Sequence, residues 1–184
     1  MPKVLIPLAQ GCEELEAVTL IDLLRRAGII VVSAGLDDQP VKASRGVVLI
    51  PDTTLDRVLE NEFDMLVLPG GQPGSNNLEA DPRIIALLQK MAHAGKYTCA
   101  ICAAPAVLAA AGLLGGKSAT CYPGCLDNAE NVTLSAAPVV QDGKIVTSRG
   151  PGTAMDFALE LIEILLGRAK RDEVETGLQR PGKY

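Results

Sequence analysis

The stretch Lys96-Tyr-Thr-Cys-Ala-Ile-Cys-Ala-Ala-Pro105 joins a strand-like segment to a helix-like one. Residues 97–101 are too apolar to alternate with polar residues, which predicts a strand covered on both faces, as inside a parallel sheet. The alanine-rich segment that follows has Pro105 near its start, where a helix loses no hydrogen bond to proline. The stretch therefore predicts a strand, a tight turn at Cys102 and a helix.

This turn places the Cys102 thiol at the carboxyl edge of the predicted sheet. Backbone N–H groups of the turn and the positive end of the following helix dipole both favour a thiolate. The position therefore predicts a reactive cysteine whose pKa lies below the ~8.5 of free cysteine. A small apolar residue that fills a tight turn explains this stretch equally well.

The rest of the chain alternates strands and helices. We predict strands at residues 3–8, 29–34, 46–50, 65–68, 117–120, 132–134, 139–140 and 144–147, and helices at 11–27, 55–59, 82–94 and 152–166, the last being the final helix. Such alternation with apolar strands predicts a single α/β domain over residues 1–184, with a mostly parallel sheet and helices on both faces. Sites in such sheets form beyond the carboxyl ends of the strands.

Composition excludes several classes of partner. The 184-residue chain is 48% hydrophobic, has a formal net charge of -5 and contains no long run of Lys or Arg, so we expect no nucleic-acid and no membrane partner. Its longest apolar run, residues 103–114, is shorter than the ~20 residues of a membrane span, and the N-terminus lacks a signal-peptide layout. We therefore expect a cytoplasmic protein.

Glu16 is an acidic residue on the apolar side of the predicted first helix, with Leu20, Leu23 and Leu24. Burial raises the pKa of a carboxylic acid and lets it exchange a proton near neutral pH. A carboxylate that caps a loop N–H or reaches solvent is the alternative. Further along, the turn with Gly70 and Gly71 allows close backbone approach to a ligand, as an oxyanion site requires, although turn geometry also explains two glycines.

The cysteine spacing allows two further readings. Cys99-x-x-Cys102 and Cys121-x-x-x-Cys125 resemble the paired ligands of a zinc site, and the first pair resembles a redox dithiol. Pleating of the strand would not turn Cys99 and Cys102 towards one metal, and the turn of a thioredoxin-like motif is missing. Because five cysteines occur without an export signal, we expect free thiols and no bound metal.

Four motifs occur in a characteristic order. They are Gly-Cys-Glu-Glu-Leu-Glu at 11–16, Leu-Pro-Gly-Gly at 68–71, Ala-Ile-Cys-Ala-Ala-Pro at 100–105 and Thr-Ser-Arg-Gly-Pro-Gly-Thr at 147–153. Over essentially the whole chain they resemble the ThiJ/PfpI superfamily, and within it the parkinsonism-associated deglycase branch and its bacterial relatives. The resemblance implies a flavodoxin-like three-layer sandwich that forms a homodimer, and we expect no cofactor.

The resemblance also implies roles for individual residues. Cys102 would be the nucleophile and Glu16 the conjugate acid, with the amides of Gly71 and Ala103 as oxyanion donors.

Basic residues complete the implied site. Arg45 and Arg26 match arginines that lie near the cysteine in the family, and Arg149 to Pro151 matches a segment contributed by the partner subunit. Read without the resemblance, these arginines are solvated surface charges.

Two positions depart from the family pattern. Tyr122 replaces a histidine that human-type members have near the cysteine, which affects how substrate is handled. Ala103 replaces the histidine that follows the nucleophile in the proteases of the superfamily, which argues against peptidase activity.

The resemblance implies a glyoxalase or deglycase that acts on methylglyoxal, glyoxal or their protein adducts. In this chemistry Cys102 attacks an aldehyde, Glu16 moves protons through an enediol, and water releases a hydroxy acid. The alternative is an oxidation sensor or redox-regulated chaperone in which Cys102 becomes a sulfinic acid. Both functions require the same two residues.

Overall fold

The computed structural model describes residues 1–181 of the chain. Its strands are β1 (Lys3–Leu8), β2 (Ile30–Gly35), β3 (Val41–Lys42), β4 (Val48–Leu49), β5 (Thr53–Thr54), β6 (Met65–Leu68), β7 (Tyr97–Ile101), β8 (Ser118–Ala119), β9 (Thr133–Leu134), β10 (Val139–Asp142) and β11 (Ile145–Ser148). Its helices are α1 (Glu14–Arg26), α2 (Gln72–Ala80), α3 (Pro82–His93), α4 (Pro105–Ala110), α5 (Ala154–Leu166) and α6 (Arg168–Gly177). Short 3-10 turns occupy Leu55–Arg57 and Pro151–Thr153.

Seven strands form the central sheet in the order β10-β11-β7-β6-β1-β2-β5. Every neighbouring pair is parallel except β10 and β11. The predicted cysteine strand lies inside this sheet, where Cys99 pairs with Val67 on one side and Val146 on the other. The prediction of a mostly parallel α/β sheet is confirmed.

Helices cover both faces of the sheet, and each inner strand supplies residues to two cores. In β1, Val4 and Ile6 pack in the core under α1 and α5, whereas Leu5 packs in the core under α3 and α4. Because successive side chains point to opposite faces of a strand, burial on both sides demands an uninterrupted apolar sequence. This explains the apolar runs and confirms the three-layer arrangement. Within residues 1–181, no helix is long and apolar enough to span a membrane.

Helix α2 corrects the sequence prediction, which placed a turn at Gly70 and Gly71 and no helix between that turn and residue 82. Gly74 and the polar residues around it have low helix propensity, yet the helix begins at Gln72. A Cβ atom on Gly74 would lie 2.6 Å from the backbone N and Cα of Cys12. Packing against the β1–α1 turn therefore requires glycine at position 74. Because glycine has a low helix propensity, the sequence does not indicate a helix here.

The predicted helix at 152–166 is not the last one, because α6 follows Gly167. Helix α6 buries only Val174 and Glu175, so its sequence carries little apolar periodicity. Arg171 pairs with Glu163 of α5 at 2.6 Å and ties the two helices together.

Several predicted strands lie outside the central sheet. The strand predicted at 46–50 is reduced to β4, which pairs antiparallel with β3. The segments predicted at 117–120 and 132–134 form the separate β8–β9 pair.

We predict that Gly74→Ala destabilises the protein by ~1–2 kcal/mol, because the close contact with Cys12 outweighs the ~1 kcal/mol gained in helix propensity. Urea denaturation followed by circular dichroism measures the change. Gly177→Ala in α6 is the matched control, since its Cβ meets nothing within 4 Å and should leave stability unchanged or raised. Wild-type stability in Gly74→Ala would contradict this view of α2.

Candidate functional site

Cys102 occupies a tight elbow between β7, which ends at Ile101, and α4, which begins at Pro105. Its backbone φ is +64°, a left-handed conformation that costs a residue other than glycine ~1–3 kcal/mol. Two hydrogen bonds hold the elbow: the Cys102 N–H donates to the Ser148 carbonyl at 3.0 Å, and the Tyr122 N–H donates to the Cys102 carbonyl at 2.8 Å. The predicted strand, turn and helix are confirmed.

Glu16 approaches Cys102 from the first turn of α1. Glu13 caps this helix by accepting a hydrogen bond from the Glu16 N–H at 2.8 Å. The Glu16 side chain is completely buried, which confirms its predicted place on the apolar side of the helix. Its Oε2 atom accepts a hydrogen bond from the Gly70 N–H at 2.8 Å, and the carboxyl group lies beside the Cys102 thiol, close enough for each to shift the pKa of the other. Oε1 has no partner within residues 1–181.

The turn after β6 brings a third element to this pair. A Cβ atom on Gly70 would lie 2.6 Å from Cys102 Cβ and 2.7 Å from Glu16 Oε2, so only glycine lets the three elements meet. The amides of Gly71, which has a φ of +86°, and Ala103 both face the Cys102 sulfur. The site is therefore a buried thiol and carboxyl pair with two amide donors at the sulfur.

Burial raises the pKa of Glu16 to about 7, against the opposing hydrogen bond from the Gly70 amide. Burial, and next the negative charge of Glu16, raise the pKa of Cys102 to about 12, while the amides of Gly71 and Ala103 act in the opposite direction. The expected low pKa of Cys102 is therefore wrong, because desolvation, and next the Glu16 carboxylate charge, outweigh the amide dipoles. Two adjacent negative charges cannot both be accommodated near neutral pH.

The two arginines predicted beside the cysteine are placed differently. Arg45 is exposed in a loop. Its backbone N–H donates to the Glu14 carboxylate at 2.9 Å, next to the start of α1. Arg26 lies ten residues beyond Glu16 in α1, a separation of ~15 Å along the helix, and pairs with Asp22 at 2.7 Å. Within one chain, Arg26 is therefore not brought to Cys102.

Tyr122 and the segment from Arg149 to Pro151 lie near the elbow in the same chain. The Tyr122 side chain is half-exposed, and its ring would be 3.5 Å from a Cβ atom on Gly150. Arg149 and Cys121 line a surface depression of about 310 Å³ beside this ring. Pro151 begins the 3-10 turn that follows and is half-buried.

The four-cysteine zinc alternative is not formed. Cys99 and Cys121 belong to the cores on opposite faces of the sheet. The four cysteines therefore cannot bind one metal ion together. The structure describes residues 1–181, and in them it places no group of three or more His, Cys, Asp or Glu that could hold a metal ion. All five cysteines are free thiols.

Three supporting groups were not predicted from the sequence. The Gly70 amide holds the Glu16 carboxyl, the Ser148 carbonyl holds the Cys102 amide, and the Glu14 carboxylate holds the loop of Arg45. Two of these three supporting groups, the Gly70 amide and the Ser148 carbonyl, belong to the backbone and leave no signature in residue type. The pair of glycines after β6 was the one available signal.

Comparison with known proteins places this site in a family. A model of the DJ-1/PfpI family matches residues 2–164. The chain is 46% identical over 177 residues to "Protein dj-1beta" of Drosophila melanogaster, with 95% of each chain covered. It is 36% identical to "Glutathione-independent glyoxalase DJR-1.2" of Caenorhabditis elegans over 174 residues, which cover 93% of this chain and 91% of the relative.

A solved structure matches equally well. The crystal structure of Drosophila melanogaster DJ-1beta has a TM-score of 0.94 and 45% identity, and covers 96% of this chain and 97% of its own. Because the family model, the relatives and the fold all match over most of its length, the chain belongs to the DJ-1/PfpI family.

Proposed function

We propose that this protein is a cofactor-independent glyoxalase that converts methylglyoxal or glyoxal to a hydroxy acid. The observation that carries the proposal is the adjacent pair of Cys102 and buried Glu16, with the amides of Gly71 and Ala103 at the sulfur. The family membership and the relative named as a glyoxalase support it. Cys102 is only 7% exposed, which favours a small aldehyde over a bulky glycated side chain.

The reaction uses the single proton that the pair holds near neutral pH. Ionised Glu16 takes this proton from the Cys102 thiol as the sulfur adds to the aldehyde carbon. The amides of Gly71 and Ala103 stabilise the resulting oxyanion, which Glu16 then protonates to give a hemithioacetal. Ionised Glu16 then removes the proton from that carbon and returns it to the neighbouring one through an enediol. The resulting thioester is hydrolysed by water, which restores the thiol and releases the hydroxy acid.

We predict a one-sided pH profile for kcat/KM with methylglyoxal. Below the Glu16 pKa of about 7 the pair carries two protons, so Glu16 cannot accept the thiol proton and kcat/KM should fall tenfold per pH unit. Between about 7 and 12 the pair keeps one proton, and the rate should stay level. Initial rates between pH 5 and 9 measure this; a rate independent of pH across that range would contradict proton sharing.

We predict that Glu16→Gln lowers turnover of methylglyoxal by about 10²-fold or more, the scale of a lost general acid and base. Glutamine keeps a hydrogen-bonding group beside Cys102 but cannot exchange the proton. Cys102→Ser should remove turnover altogether. Cys12→Ser, which changes another buried thiol, is the matched control and should retain activity. Undiminished turnover in Glu16→Gln would exclude the proton-transfer role.

The same substitution should stabilise the folded protein at high pH. Because the pKa of Glu16 is raised on folding, the native state binds its proton more tightly, and stability is lost as pH rises from 4.5 towards 7. Glu16→Gln should therefore be more stable than wild type by up to ~3 kcal/mol at pH 8, and by little at pH 4.5. Urea denaturation of both proteins at pH 4.5 and pH 8 tests this. The same difference in unfolding free energy between variant and wild type at the two pH values would contradict the prediction.

Dimer formation is part of the proposal, and an apolar surface patch supports it. Leu15 and Val18 on the outer side of α1 are about half exposed, and Val47, Val48 and Ile50 are between 50% and 85% exposed. Glu14 accepts hydrogen bonds from the Val47 N–H at 3.4 Å and from the Arg45 N–H at 2.9 Å, which joins these two apolar segments. A contiguous apolar surface of this kind is typical of an interface between copies of a chain.

We predict that Val18→Glu makes the protein sediment as a monomer at micromolar concentration, because burying an unpaired carboxylate in the interface is costly. Analytical ultracentrifugation measures the change. Leu166→Glu is the control, since Leu166 is 37% exposed and lies at the far end of α5. A dimer that persists in Val18→Glu would place the interface elsewhere. Turnover should fall with dissociation if the partner's segment matching Arg149 to Pro151 completes the site.

The second candidate function is an oxidation sensor. The amides of Gly71 and Ala103 that face the sulfur would also bind the oxygens of a Cys102 sulfinic acid, with protonated Glu16 as a third donor. In a sensor, methylglyoxal turnover by the wild type is negligible, and Glu16→Gln alters only how readily peroxide oxidises Cys102. Turnover assays combined with intact-mass measurement after peroxide treatment separate the two functions.

A further inference from the structure

Cys121 and Cys125 form a second pair of thiols that the proposed reaction does not use. Both lie in the loop between β8 and β9, and both are free thiols. The Cys125 N–H donates to the Tyr122 carbonyl at 3.1 Å, so the chain turns back on itself between the two cysteines. The sequence spacing raised this pair as half of a zinc site, but the structure separates it from Cys99.

The turn brings the two side chains together. The amides of Cys125 and Leu126 both face the Cys121 sulfur, which places that sulfur within hydrogen-bonding reach of the backbone of the second cysteine. The Cys125 Cα atom is bonded to that amide nitrogen, so the Cys121 sulfur lies next to the residue that carries the second thiol. A disulfide needs Cα atoms ~4.4–6.8 Å apart, a separation compatible with such a turn.

The two thiols differ in access. Cys125 is half-buried, and its thiol donates to Gln72 Oε1 at 3.8 Å, at the edge of the turn that carries Gly71. Cys121 is 7% exposed and borders the surface depression that Arg149 also lines. A small oxidant therefore reaches Cys125 first, and Cys121 is the neighbouring thiol of the same turn.

We propose that Cys121 and Cys125 form a reversible disulfide when the protein meets peroxide, as a modification site separate from Cys102. Peroxide oxidises the Cys125 thiol to a sulfenic acid and is reduced to water. The Cys121 sulfur then attacks the Cys125 sulfur, forms the S–S bond and releases a second water. Two thiols and one peroxide thus give one disulfide and two waters, and a small-molecule thiol restores the pair.

The bond would act on the loop that closes the Cys102 elbow. Tyr122 lies between the two cysteines, and its N–H donates to the Cys102 carbonyl at 2.8 Å. A disulfide across this turn would hold the Tyr122 backbone in place. The proposal does not depend on glyoxalase activity, because it uses neither the Cys102 thiol nor Glu16.

Peptide mapping of the wild-type protein tests the proposal directly. Cleavage by trypsin after Lys96, Lys117 and Lys144 leaves Cys99 and Cys102 in peptide 97–117, and Cys121 and Cys125 together in peptide 118–144. After brief treatment with dilute hydrogen peroxide and blocking of free thiols with iodoacetamide, peptide 118–144 should appear unalkylated and lighter by two hydrogen atoms. Treatment with dithiothreitol before blocking should restore two alkylated thiols.

Two other outcomes would overturn the proposal. One is a peptide 118–144 that stays doubly alkylated while Cys102 oxidises, and the other is a disulfide that links this peptide to 97–117. In Cys102→Ser the internal disulfide should still form, whereas Cys125→Ser should abolish it. As a second measurement, phenylarsine oxide should bind once per chain to reduced Cys102→Ser protein and protect both cysteines of peptide 118–144 from alkylation by iodoacetamide. Alkylation of both cysteines in its presence would show that the two sulfurs cannot meet.

Discussion

The contact between the Glu16 carboxyl and the Cys102 thiol is the constraint around which this structure is organised. Each group is buried and its pKa is raised, so the two cannot both be charged near neutral pH. One proton must therefore remain in the pair. The proton rests on the thiol, whose pKa is the higher of the two. The hydrogen bond from the Gly70 amide favours ionised Glu16, and the amides that face the sulfur lower the cost of forming a thiolate.

Close backbone approach makes this contact possible. The loops after β1, β6 and β7 meet at the carboxyl edge of the sheet, where Gly70 leaves room for both Glu16 and Cys102, and Gly74 lets α2 lie directly on Cys12. Such glycines weaken the helix or turn in which they stand. Their positions follow from the need to bring three segments of chain within van der Waals distance, which no larger residue allows.

The site is held at a cost in stability. Cys102 has a left-handed backbone conformation, and Glu16 is a carboxyl group with no exposed surface and an Oε1 atom without a partner in residues 1–181. The surrounding layers compensate, because two apolar cores enclose the strands that carry these residues. A fold of this class tolerates local strain where function benefits from it.

The sequence by itself determined the alternation of strands and helices, the turn at Cys102 and the burial of Glu16, because these depend on local periodicity and on proline and glycine signals. It missed α2 and α6, whose residues are polar or are set by contacts distant in sequence. Only the tertiary structure decided the pKa of Cys102. That pKa is set by burial and by the distance to Glu16 on another element, which residue type and spacing do not encode.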